Sequence, residues 1–183
     1  MGNCNIVQFV CFETMLDKDQ FIKRWGEYHM SASSDTNVTL QQCETGRIFK
    51  YIVQHRCREG ELRFVFSKAA NKSRIRRTVI NAEQAGGYIV LQAERVTETM
   101  TSESKIFAFF TSPLIDLDLY RQIAVPAKLN IYEAYYENCS FAYILEFFVK
   151  NKYASELLEE IKKYAPAEIG IYKEFALSAM QSI

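Results

Sequence analysis

The strands of this chain are apolar on both faces, and no other feature constrains its fold as tightly. In Phe141–Val149, one parity carries Phe141, Tyr143, Leu145 and Phe147. The other carries Ala142, Ile144 and Phe148, with Glu146 the single polar residue. Ile106–Phe110 is apolar on both parities. A sheet with one face in water alternates apolar and polar residues, so such strands need cover on both sides.

The order of elements supplies that cover. Ile6–Glu13 reads as a strand, followed by a helix opened by Asp17 and Asp19 with Phe21, Trp25 and Tyr28 on one stripe. Val38–Glu44, Ile48–Cys57 and Glu61–Ser67 read as strands parted by Thr45-Gly46 and Glu59-Gly60. A helix capped by Ser73 is expected through Glu83, ended by Gly86 and Gly87, before the strand Tyr88–Glu94. The polar run 96–104, "VTETMTSES", reads as a connector. The second half repeats the plan. It has a strand Lys105–Thr111, a helix from Ser112-Pro113, a hairpin of Leu129–Glu137 and Phe141–Lys150, and an amphipathic helix on Ala154, Leu157, Leu158, Ile161 and Tyr164. Glu168–Ala176 is the last strand.

A βαββαβ unit folds into a four-stranded antiparallel sheet with both helices on one face. The bare face of one copy is then the nearest lid for the other. The expected fold class is α+β: two tandem βαββαβ ferredoxin-like repeats, 1–95 and 105–183, joined by 96–104, with sheets packed face to face and helices outside. This arrangement resembles the dimeric α/β-barrel superfamily, with both units fused in one chain as a pseudo-dimeric barrel.

Charge narrows the function. Lys plus Arg and Asp plus Glu are 22 each, so the basic excess of a nucleic-acid binder is missing. RNA-recognition domains share the βαββαβ order and stack bases on third-strand aromatics. "FAYI" at 141–144 fits the middle of their pattern, but Cys139 and Ser140 stand where a basic residue and glycine belong. Single-stranded RNA binding is therefore an alternative function, with nucleic acid disfavoured as a partner. The basic cluster Lys68, Lys72, Arg74, Arg76 and Arg77 reads as a solvated helix face. Five cysteines without a C-x-x-C pair, no signal peptide and no apolar run of about 20 residues point to a reduced, cytoplasmic protein.

Polar residues inside apolar strands are the candidate site, because a buried charge is costly unless paired or facing a cavity. Glu13, His55, Arg63, Glu133 and Glu146 are of this kind. The superfamily resemblance implies a small organic, partly aromatic ligand in the space between the sheets. Monooxygenase- or isomerase-like chemistry without a cofactor is among its activities. On that reading His55 or Glu146 transfers the proton. Arg63 holds an anionic substrate, and Glu13, Glu133, Tyr132, Tyr136 and Tyr143 line the ligand. His55 is alternatively a haem ligand; no other cofactor is expected, and no metal site, because metal-ligand spacings are missing. The expected partners are the small ligand and a second copy of the chain in a homodimer. A further alternative is a ligand-free interaction module, whose inter-sheet space would be packed solid.

Overall fold

The computed structural model describes residues 6–21, 23, 38–46, 49–57, 82–94, 102–125, 127–135 and 139–175. Eight strands form one closed barrel: β1 (Ile6–Glu13), β2 (Val38–Gly46), β3 (Tyr51–Cys57), β4 (Ala82–Gln92), β5 (Glu103–Phe110), β6 (Lys128–Ala134), β7 (Tyr143–Lys150) and β8 (Glu168–Phe175). The order around the barrel is β1-β3-β2-β8-β5-β7-β6-β4, and every seam is antiparallel. The strands of residues 6–92 therefore join those of residues 103–175 edge to edge, through β2–β8 and β4–β6. Closure removes every free strand edge.

Both faces of the strands are covered. Inside, Val7, Phe9, Cys11, Ile52, Tyr88, Phe107, Phe109, Tyr132, Ile144 and Tyr172 form one core. Its rings interlock edge to face: Phe9 lies 4.9 Å from Tyr132 and 5.5 Å from Tyr88, and Phe107 lies 5.3 Å from Tyr172. Outside, the opposite parity (Ile106, Ala108, Phe110, Leu145, Phe147) packs under two helices, α1 (Leu117–Ile123) and α2 (Ala154–Lys162). α2 buries Ala154, Leu157, Leu158 and Ile161, the stripe its sequence predicts. In the first half, Val10, Phe12, Leu40 and Val53 gather with Phe21 and Tyr51, whose rings stack at 4.0 Å. Asp17 starts that helical turn: its Oδ1 accepts from Gln20 N at 2.8 Å, and Gln20 Oε1 accepts from Asp17 N at 3.2 Å.

Three expectations are corrected. Residues 82–87, read as a helix end, are strand, because β4 pairs with β1 from Glu13↔Ala82 onward and the ladder satisfies its backbone. Ser112-Pro113 does not open a helix. Ser112 Oγ instead accepts from Leu114 N, and Asp116 is the cap, accepting from Asp118 N and Leu119 N at 3.1 Å. β3 opens at Tyr51, past Phe49 and Lys50, and β4 ends at Gln92 rather than Glu94. The strand expected at 61–67, most of the 73–83 helix, the basic cluster, Trp25, Tyr28 and His29 lie outside the described residues.

The β2–β8 seam depends on two facing glycines. Gly46 is paired with Gly170, beside a register shift between Cys43 and Thr45. A Cβ on Gly170 would stand 2.8 Å from Thr45 O and 2.9 Å from the Tyr172 ring. Gly170→Ala is therefore expected to destabilise the protein by about 1–3 kcal/mol through overpacking, read as a lower urea midpoint at unchanged slope.

Candidate functional site

Polar side chains collect on the inward face toward one end of the barrel. The strand register puts them there. Asn130 on β6 faces Glu146 on β7, Lys105 on β5 faces Phe148, and Gln41 on β2 faces Glu174 on β8. Lys105 Nζ lies 3.0 Å from Glu146 Oε1, also pairs with Glu174, and sits 5.1 Å from the centre of the Phe148 ring. Glu146 Oε2 accepts from Tyr132 O–H at 2.5 Å and from Asn130 Nδ2 at 3.1 Å. Gln41 Nε2 donates to Gln54 Oε1 at 3.0 Å and reaches Glu174 Oε2 at 3.4 Å. Outward from the cluster, Asn130 Oδ1 accepts from the backbone N–H of Glu94 at 2.9 Å.

The cluster is sealed: Glu146 is 0% exposed, Lys105 3% and Gln41 0%. Burial by itself would raise the Glu146 pKa. The Lys105 charge and the hydrogen bonds from Tyr132, Lys105 and Asn130 outweigh it and hold the carboxyl below its ordinary value of 4.5. Tyr132 moves the other way: burial, and then the adjacent Glu146 charge, push its phenol well above 10.0. The phenol thus keeps its proton and donates to an ionised carboxylate. Hydrogen-bonding capacity is left over. Among the described residues, Gln41 Oε1 and Gln54 Nε2 have no hydrogen-bond partner.

Of the residues expected from sequence, Tyr132 and Glu146 come together here. His55 lies on the parity of Tyr51 and Val53, the outer face of β3, half-buried and away from Glu146. Glu133 and Tyr143 also sit outside the barrel, where Tyr143 O–H donates to Glu133 Oε1 at 2.8 Å. Glu13 is exposed at the end of β1. Arg63 and Tyr136 lie outside the described residues. Lys105, Asn130, Gln41 and Gln54 were not singled out by sequence. Each is a polar residue on the inward parity of its strand, a signal legible only once that parity is known.

Aromatic rings fill the remainder of the interior. Its best-formed hollow among the described residues, lined by Phe9, Cys11, Gly86, Tyr88, Ser140, Phe141 and Ile144, holds about 10 Å³, room for one water. The sheet aromatics that would stack bases are enclosed, with Phe107, Phe109 and Tyr132 each at 0% exposure. The described residues do not fit a haem. Among the described residues the rings leave no hollow of a haem's size, and His55, the one histidine among them, points out of the interior.

No protein-family model matches the chain, and no curated protein does. Solved structures do. A chlorite dismutase variant from Candidatus Nitrospira defluvii, in complex with cyanide, superposes with a TM-score of 0.56 at 8% identity, over 98% of this chain and 94% of that one. A second protein, provisionally designated a chlorite dismutase, gives 0.53 at 12% identity over 96% and 97%. At such identities the likeness is one of fold alone: the chain shares with these two structures a barrel architecture that resembles the α/β-barrel arrangement expected from the element order.

Removing Lys105 takes the cation from the buried carboxylate of Glu146, so Lys105→Met is expected to cost about 3–5 kcal/mol in urea unfolding. Adding Glu146→Gln and Glu174→Gln to that variant is expected to restore most of the loss. Because the folded Glu146 pKa is depressed, its contribution is complete above pH 4.5 and is lost as pH falls through the lower folded value. Glu146→Gln should accordingly flatten the acid limb of the stability–pH curve.

Proposed function

We propose that this chain is a small-molecule-binding, enzyme-like α/β-barrel protein whose site is the polar end of the barrel interior. Two tandem ferredoxin-like halves, 1–95 and 105–183, would build it. The matching strand orders β4-β1-β3-β2 and β8-β5-β7-β6 support that division. The observation that carries the functional reading is the buried set of Glu146, Lys105 and Glu174 with unmet polar atoms on Gln41 and Gln54 beside it. A buried ion cluster is a poor source of stability compared with apolar packing of the same volume. Ionised groups with shifted pKa values in an enclosed interior are the usual makings of a ligand or catalytic site. In this reading Glu146 is the proton-transfer group and Tyr132, through its retained O–H, orients what binds.

The dense aromatic filling favours a second reading, a ligand-free interaction module. One experiment separates the two. A panel of small phenols, aromatic acids and amines is screened by thermal shift against wild type, Tyr132→Phe and Glu146→Gln. The site reading expects a compound that stabilises wild type and loses at least about tenfold in affinity, or roughly 1.4 kcal/mol, in both variants. No response from any compound, with native mass spectrometry showing no co-purifying small molecule, favours the interaction module.

A further inference from the structure

Lys105 has the surroundings of a bound ligand. Its ammonium is gripped by Glu146 and Glu174, whose side chains are 0% and 6% exposed, and lies over the face of Phe148. Two anions and an aromatic face are the recognition set for an organic cation. Gln41 Oε1, on a side chain that is 0% exposed and points inward, is a further acceptor at the same place, without a hydrogen-bond partner among the described residues. The set is not built for an anion. Its charges are the fully buried carboxylate of Glu146, the largely buried side chain of Glu174 and the Lys105 ammonium, and the half-buried Arg56 is the further cation acting on Tyr132.

We infer that the polar end of the barrel is a site for small alkylammonium ions, and that Lys105 is its tethered occupant in the closed state. This rests on the small-molecule reading above and names its ligand class. Lys105 stands two residues into β5, which begins at Glu103, and its stem is four carbons of unbranched chain. Swinging that stem out of the barrel's end frees a volume the size of a butylammonium ion. The carboxylates, the Phe148 face and Gln41 Oε1 then receive the incoming ammonium, so no charge is left unpaired. The chain's own side chain thereby competes with the ligand. Access is set by that competition, in an interior otherwise filled by rings.

The test uses propylammonium, propionate and propanol as probes of equal length and different charge. Lys105→Ala is expected to lose thermal stability and to regain at least half of the loss with millimolar propylammonium, because a ligand specific for the folded state stabilises it by mass action. Propionate and propanol are expected to have no such effect. Adding Glu146→Gln should remove the response. Should Lys105→Ala fail to fold, the wild-type protein decides. Reductive methylation of Lys105, followed by peptide mass spectrometry, should be slow in the free protein. It should rise several-fold when N,N-dimethylpropylamine, inert to that chemistry, is present. A response to propanol or propionate in place of propylammonium overturns the cation assignment and leaves the small-molecule reading standing. No response to any probe, with Lys105 labelling unchanged, ends the alkylammonium assignment and leaves the small-molecule reading to the aromatic panel.

Discussion

Closure of the eight described strands into one barrel is the constraint on which the molecule depends. Strands that are apolar on both faces cannot rest on an open sheet. Here the inner parity is buried by the opposite wall of the barrel, and the outer parity of β5 and β7 by α1 and α2. Hydrogen bonds along β2–β8 and β4–β6 turn two facing sheets into one ladder without ends. Gly46 and Gly170 let the backbones approach at one of those seams.

An eight-stranded barrel is about wide enough for its own side chains to fill. That width explains how the interior divides. Large rings occupy most of it, and the remaining end must accept whatever polar groups point inward there. Lys105 can pair with both Glu146 and Glu174 only because all three are fixed on different strands at the same level. Asn130 links this level to the outside. One end of its amide accepts from the Glu94 backbone and the other donates to Glu146. The segment leaving β4 is thereby tied to the buried charges, so a change at either place is felt at the other.

Much of the architecture was legible because it rests on local pattern. The two-faced apolar strands, the α2 stripe from Ala154 to Ile161 and the strand positions of β1, β5 and β7 follow from spacing alone. The β4 start was misread because "AEQAGGY" has weak local preference and is held extended by pairing with β1. The site was legible only in part. Glu146 and Tyr132 stand out in their strands, but His55 and Glu133 look equivalent to them until the inward parity is known.

The sequence by itself determined that both strand faces must be covered and that one chain carries the means to cover them, because apolar surface cannot be left in water. Tertiary structure alone decided which polar residues meet. Alternation assigns a residue to one of two faces. Only the register across six strands, from β3 and β2 through β8, β5 and β7 to β6, brings Gln54, Gln41, Glu174, Lys105, Glu146 and Asn130 into a single buried network.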